Sequence, residues 1–550
     1  MMPRMINGLR IIFVFLALFF SFNSLAGIAT TKHNLSVSGP GTVKAATDDR
    51  ICIFCHTSHT ASPVAPLWNR SNPGSVYTTY SSTTAAAVPG QPNGSSLVCL
   101  SCHDGTIALG DVLNGGPITM ANGVTVMPAG RSLLGTDLSN DHPISFQYTS
   151  ALAAADGELA DPATLTGVVK LDNTGQLQCA TCHNVHDDTN GKFLVVNNLG
   201  SALCETCHQK SNWTQSPHNT STSAWNGVAP DPWPNSTYTT VADNGCGNCH
   251  TPHAAGQGQR LLNTNAEEQT CFNCHNGNVT DDIQGDFNKA SHHPVEMTSG
   301  VHEPNEPTVV TNRHVECMDC HNPHSGGTGP GTPGISGVDY LGNVINPITA
   351  TYQVCFRCHG DGGNSVPGTN RQVVQPNIRL KFDTANPSYH PVAGIGKSAN
   401  VPSLIAPWTT SSIMECTDCH GSDDGSNRPH GSIYSPILKL QYNRARGAES
   451  ATAYALCYSC HDRNSILSDN TFGEHSMHVQ GENVTCNSCH DAHGTSLAAG
   501  ATIANNARLI NFNTDVVTPS GGVLAWTSNG LNTGSCTLIC HGENHNPETY

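Results

Sequence analysis

Twelve times along this 550-residue chain a pair of cysteines stands immediately before a histidine. In eleven of them two residues separate the cysteines: Cys52-Cys55-His56, Cys99-Cys102-His103, Cys179-Cys182-His183, Cys204-Cys207-His208, Cys246-Cys249-His250, Cys271-Cys274-His275, Cys317-Cys320-His321, Cys355-Cys358-His359, Cys416-Cys419-His420, Cys457-Cys460-His461 and Cys486-Cys489-His490. The twelfth, Cys536-Thr-Leu-Ile-Cys540-His541, has three. Together they use all 24 cysteines, so none is left for a disulfide, although an even cysteine count in an exported chain ordinarily signals a disulfide framework. Nor would such a framework place His after every second Cys in a chain with 29 His in 550 residues.

The spacing is that of covalent haem attachment. Two thiols must reach the two vinyl groups on one edge of a porphyrin, and residues three apart share a face of a helical turn. The next residue then turns its imidazole beneath the iron as proximal ligand. Zinc, the rival for paired cysteines, combines two pairs and does not call for a His after each. The reading is therefore twelve covalently bound haem c groups, the widened last motif included. Their proximal ligands are His56, His103, His183, His208, His250, His275, His321, His359, His420, His461, His490 and His541.

Seventeen other histidines bear on the sixth iron ligand. Five stand three residues past a proximal His: His59, His186, His253, His324 and His493. Each lies on the same side of the chain as its neighbour and cannot swing to the far face of the same macrocycle, so it is expected to reach a different haem. His430, ten residues past His420, is read as a displaced member of this group. A second group follows the other motifs: His142, His293 and His390, each followed by Pro, with His218, His478 (or its neighbour His475) and His545 in comparable places. Proline biases the preceding residue toward extended backbone, which offers the ring from a strand-like segment. These twelve match the twelve irons and leave His33, His292, His302, His314 and His475 over.

The motifs repeat as six two-haem modules, each with a first motif, a trailing His, a spacer, a second motif and a later His. The expected boundaries are 27–150, 151–235, 236–300, 301–395, 396–480 and 481–550. Cys179 to Cys204 and Cys246 to Cys271 are both 25 residues apart, and they share Leu194 with Leu261 and Asn198 with Asn265. Only 37% of residues are apolar and 6% aromatic, against 53 Gly and 33 Pro. An aliphatic core is therefore scarce, and flat apolar macrocycles are expected to replace it. The fold class is haem-cored and mostly coil, a linear multihaem chain with single helical turns at the motifs, short helices such as 451–460, and few short strands in the spacers.

Residues 1–26 read as an export signal: Arg4 and Arg10, the apolar run Ile11 to Phe20, then Ser24-Leu25-Ala26. Ten apolar residues are short for a bilayer span, and no later segment approaches one, so the mature chain is expected to lack a membrane span. A formal charge of −17, to which haem propionates add, argues against a nucleic-acid partner and favours cationic electron partners, ferric oxides and metal ions. The acidic pairs Asp187-Asp188, Asp281-Asp282 and Asp423-Asp424 lack calcium-loop spacing.

Strings such as Leu-Val-Cys-Leu-Ser-Cys-His-Asp-Gly-Thr at 97–106 and Cys-Ala-Thr-Cys-His-Asn-Val-His at 179–186 resemble the doubled CXXCH-motif multihaem cytochromes c. That family includes outer-surface cytochromes of metal-respiring bacteria, some of which polymerise into haem-chain filaments. The resemblance covers residues 31–546 in pieces. It implies bis-His low-spin haems stacked edge to edge, little regular secondary structure, and long-range electron transfer without substrate chemistry. Filament members complete one haem with a His from the neighbouring subunit, a part open to His33, as is ligation within its own chain. The wide Cys536/Cys540 motif and the missing His three residues past His420 depart from the pattern. The expected function is an extracellular or outer-surface conduit to metal or mineral acceptors or other cytochromes, in homopolymeric form or not. A periplasmic carrier between membranes and a nitrite or hydroxylamine oxidoreductase are the alternatives. Catalysis needs an open iron, whereas here no Lys replaces a proximal His and the supply of His exceeds demand, so no catalytic residue is assigned.

Overall fold

The computed structural model describes residues 27–550 apart from breaks at 63–64, 235, 257, 298–301, 304, 312–313, 328, 364–367 and 531–532. The export signal read over residues 1–26 lies outside the described residues. Local structure is set by the motifs. In nine of them the His backbone N–H donates to the carbonyl of the first Cys four residues back, at 2.8 Å for His56 and between 2.9 and 3.0 Å for His183, His208, His250, His275, His321, His420, His461 and His490. Each is one α-turn, the shortest unit that brings both thiols to one side. Two motifs close longer helices, Gly94–His103 and Tyr352–His359. The expected helix over 451–460 is confined to Ala455–Tyr458.

Such short helices need help at their first turn, where backbone N–H groups lack partners. The side chain between the cysteines supplies a return bond in three cases. Thr181 Oγ1 accepts from Gln178 N–H at 3.1 Å, and Asp319 and Asp418 accept from the N–H groups of Glu316 and Glu415 at 2.8 Å. The turn then ends at its His, whose backbone is extended (φ −121° and ψ 136° at His183, −100° and 134° at His490), and this departure carries the imidazole away from the helical turn.

Strands are short pairs. Phe146–Gln147 pairs with Gln176–Leu177, Ser291–His292 with Gly431–Ser432, Gly337–Val338 with Val344–Ile345, and Ser388–Tyr389 with Gly494–Thr495, all antiparallel. The exception is a three-stranded antiparallel sheet at the C-terminus, with Thr533–Cys540 in the middle between Ala525–Gly530 and Glu543–Thr549.

The chain divides into two units, Met1–Lys210 with Asn235–Asn265, and Ser211–Pro234 with Ala266–Tyr550. The division falls between the Cys246 and Cys271 motifs, which the sequence reading places in one module. Apolar packing gathers around the motif cysteines. In the first unit Ala45, Phe54, Leu109, Val112, Ile118 and Met120 form a buried cluster against which Cys55 and Cys102 pack. The fully buried Arg70 there donates to the carbonyls of Leu109, Ser101 and Ala108 at 2.8, 3.0 and 2.9 Å. In the second unit Val338, Phe356, Phe382 and Val392 pack with Cys416, while Phe512, Val517, Trp526 and Leu538 pack with Cys489, Cys536 and Cys540. Among the described residues no helix is long and apolar enough to cross a membrane.

Candidate functional site

The imidazoles meet in pairs. In the first unit His56 faces His186, His103 faces His33, His183 faces His253 and His208 faces His142, each with ring centres 6.2 Å apart. In the second unit His275 faces His218 at 6.3 Å, His321 faces His430 at 5.9 Å, His359 faces His293 at 6.3 Å and His420 faces His493 at 6.1 Å. Each pair has one proximal His and one His from outside the motifs. A metal–imidazole bond is about 2.0 Å, so one iron held between two imidazole nitrogens sets the ring centres about 6 Å apart once the nitrogen-to-centre distances are added. The rings therefore stand at the separation that a hexacoordinate iron requires.

Hydrogen bonds choose which nitrogen points inward. Nδ1 of His103, His183, His250, His420 and His490 donates to the carbonyls of Ser132, Lys192, Arg260, Pro436 and Arg508 at 2.7 to 3.1 Å. Nδ1 of His142, His218 and His293 donates to Pro143, Pro323 and Pro429 carbonyls at 3.0, 2.8 and 2.7 Å, and that of His390 to Ala492. A carbonyl only accepts, so the proton sits on Nδ1 and Nε2 keeps its lone pair for a metal. His253 makes the same commitment to the carboxylate of Asp141 at 2.9 Å. Burial disfavours the protonated form of several rings: it lowers His208, His275, His359, His430, His461, His475 and His490 to about 4 and His493 to about 3, in each case chiefly by desolvation.

All 24 cysteines are unbridged. Four thiol pairs nevertheless touch: Cys99 with Cys179, Cys204 with Cys246, Cys355 with Cys416, and Cys457 with Cys486. Each joins the second motif of one expected module to the first motif of the next. A cavity of about 1930 Å³ runs through the second unit, and its walls carry Cys355, Cys358, Cys416, Cys419, Cys457, Cys460, Cys486 and Cys489 with the proximal His359, His420, His461 and His490. Thiols and inward-facing imidazoles on one cavity wall are the donor set of covalent haem.

The comparisons with known proteins agree. The doubled CXXCH motif family matches residues 173–212 and 239–280, and the cytochrome c-type protein NrfB-like family matches residues 416–510. The chain is a multihaem c-type cytochrome. No curated protein matches it.

Two rules relate the cytochrome's non-motif histidines to its motifs. A His trailing a first motif faces the proximal His of an earlier first motif: His186 faces His56, His253 faces His183, His430 faces His321 and His493 faces His420. A His in a spacer faces a later second motif: His142 faces His208, His218 faces His275 and His293 faces His359. The two kinds arrive together on paired backbone, since His142 N–H donates to the Pro252 carbonyl at 2.8 Å, His293 N–H to His430 at 3.1 Å and His390 N–H to His493 at 3.3 Å. The extended backbone expected before Pro takes the form of the strands Ser291–His292 and Ser388–Tyr389, which end one residue before His293 and His390.

The structure differs from the sequence reading at several histidines. His33, for which ligation in a neighbouring subunit and within its own chain both stood open, faces His103 of its own chain. His475, also left over, lies within electrostatic range of His490, as His390 does of both His461 and His490. His59 is exposed and faces no other imidazole among the described residues. His324 is not among these: besides an edge-on contact with Trp213 at 6.4 Å it has a further partner. His302 and His314 sit in a carboxylate cluster, and His292 bonds the Lys289 carbonyl at 2.7 Å. The offset between donor and motif, by which a trailing His meets an earlier module and a spacer His a later one, is something spacing alone does not reveal.

The last motif departs most. Cys536 and Cys540 lie on the central strand of the C-terminal sheet, with a bulge between Cys536 and Leu538, and His541 has φ +45°. This replaces the helical turn expected there: with a third residue between the cysteines, the spacing no longer matches the other turns. Even spacing on a strand still puts both thiols on one face. Three rings converge here, with His478 and His545 at 5.3 and 5.4 Å from His541, and His545 Nδ1 bonds the Glu548 carboxylate.

Proposed function

We propose that the cytochrome is a dodecahaem electron conduit of six two-haem modules that acts outside the cytoplasm, at or beyond the cell surface, and delivers electrons to metal or mineral acceptors. The observation that carries this reading is the set of eight imidazole pairs at 5.9 to 6.3 Å. When bound between such a pair, haem iron is coordinatively filled and exchanges single electrons without offering a site to substrate. The chain's own residues do the rest. Backbone carbonyls hold Nε2 toward the iron, burial disfavours protonation of rings such as His208, His275 and His430, and neighbouring cysteine edges join successive modules within each unit. The spacer and trailing histidines tie the two haems of a module through one stretch of paired backbone. The acidic surface, with net charge −17, supports encounter with cationic acceptors.

The exposed, unmatched His59 favours the homopolymeric form of this reading, in which a trailing His serves a motif of another copy. The NrfB-like segment favours other cytochromes among its partners. The test is oxidation of the reduced holoprotein. Rapid reoxidation by ferric citrate and ferric oxide particles, with no turnover of nitrite or hydroxylamine, is the expected result. Sustained nitrite or hydroxylamine turnover would assign it to the oxidoreductases instead.

A further inference from the structure

Three carboxylates in the second unit close on one buried imidazole that no haem pair uses. His302 is 8% exposed and Asp319 6%. Nδ1 of His302 lies 3.3 Å from Oδ1 of Asp319, 3.5 Å from Oε2 of Glu316 and 4.0 Å from Oε1 of Glu306. Both His302 Nδ1 and Asp319 Oδ1 are buried without a hydrogen bond, a costly condition for polar atoms. The surrounding groups are committed elsewhere. Asp319 Oδ2 accepts from Glu316 N–H, Glu306 Oε2 pairs with His314 Nε2 at 2.9 Å, and Glu267 accepts from the N–H groups of His302 and Met318 at 3.0 and 2.9 Å. Arg357 is the one guanidinium that reaches these carboxylates among the described residues, 3.0 Å from Glu306 Oε1 and 3.6 Å from Asp319 Oδ1. Arg357 and His314 both bear on Glu306, while Asp319 and Glu316 face His302.

We propose that this pocket is a non-haem divalent-cation site with His302 Nδ1, Asp319 Oδ1 and Glu306 Oε1 as donors. A metal about 2.0–2.2 Å from each nitrogen or carboxylate oxygen spaces its donors by roughly 3–4.4 Å, the range seen around His302. An imidazole among carboxylates selects zinc or manganese over calcium and magnesium, which prefer all-oxygen shells. The site has a structural consequence, because Asp319 lies between Cys317 and Cys320 and Arg357 between Cys355 and Cys358. The ion braces the attachment turns of two consecutive haems.

The test uses holoprotein stripped with a chelator and titrated with Mn²⁺ (read by electron paramagnetic resonance) or Zn²⁺ (read by metal analysis). The wild type should take up one ion per chain. His302→Gln and Glu306→Gln, each first shown to keep the wild-type haem content and Soret spectrum, should bind about tenfold more weakly or worse. Should either variant misfold, the Mn²⁺ bound to wild type must still show nitrogen coupling from an imidazole. No retained metal, wild-type affinity in both variants, or bound Mn²⁺ without nitrogen coupling overturns the site.

Discussion

The helical-turn motifs and the strand-borne motif at the C-terminus solve the same attachment problem with different backbones. At His420 the turn Cys416–Cys419 is capped by Asp418, the imidazole is fixed by the Pro436 carbonyl at 3.0 Å, and one outside ring, His493, faces it. At His541 the cysteines stand on a bulged strand, the backbone turns left-handed, and two outside rings crowd one proximal His. The regular site is specified by one partner per iron, whereas the terminal one has a spare. The difference teaches that imidazole pairing, more than the helical turn, is what the structure maintains at every motif it brings to a partner.

Deleting thioether attachment should separate the two sites most. Replacing Cys416 and Cys419 by Ala takes a haem from the middle of the second unit's cavity, and we expect a loss of stability at least as large as the roughly 2–5 kcal/mol of a large core truncation. The same change at Cys536 and Cys540 should cost less, because Phe512, Val517, Trp526 and Leu538 still pack the sheet. Intact mass would confirm one haem lost in each, and calorimetry would rank them; equal losses would break the comparison.

Distal ligands come next. His493→Ala should convert one haem to high spin, whereas neither His478→Ala nor His545→Ala alone should do so, and only the double variant should. Electron paramagnetic resonance reads the outcome directly. Acid should also act on the regular pairs. His275, His359 and His430 have ordinary values near 6.5 lowered to about 4 by burial, so their neutral forms are favoured in the fold. That stabilisation is fully present above pH 6.5 and is lost as pH falls toward 4. High-spin bands growing across that window in an acid titration would agree, and growth confined above pH 6.5 would not. The smallest effect belongs to the caps: Asp418→Ala should cost about 1 kcal/mol, detectable as a small fall in Tm, with no counterpart on the terminal strand.

The motifs, the proximal histidines and the scarcity of regular structure were legible in the sequence because covalent chemistry fixes their spacing. The partners of the irons were less so. Which ring faces which motif depends on what backbone pairs with what, as where His293 N–H meets the His430 carbonyl, and those residues lie 137 positions apart. That His430 would stand in for the missing trailing His was suggested by its place after His420, and the fold sets its ring against that of His321. The role of His33 could not, since nothing local distinguishes it from a solvated His. His302 was set aside as surplus, and only folding brings Glu306, Glu316 and Asp319 around it. The terminal motif was read as another helical turn although its extra residue already broke that spacing, and the strand is the result.

The central claim is that the cytochrome's irons are each held between two imidazoles. Intact mass of the oxidised holoprotein, taken with its electron paramagnetic resonance spectrum, tests it most directly. The expected result is twelve haems per chain with low-spin ferric signals alone; fewer haems, or a high-spin signal near neutral pH, would contradict it.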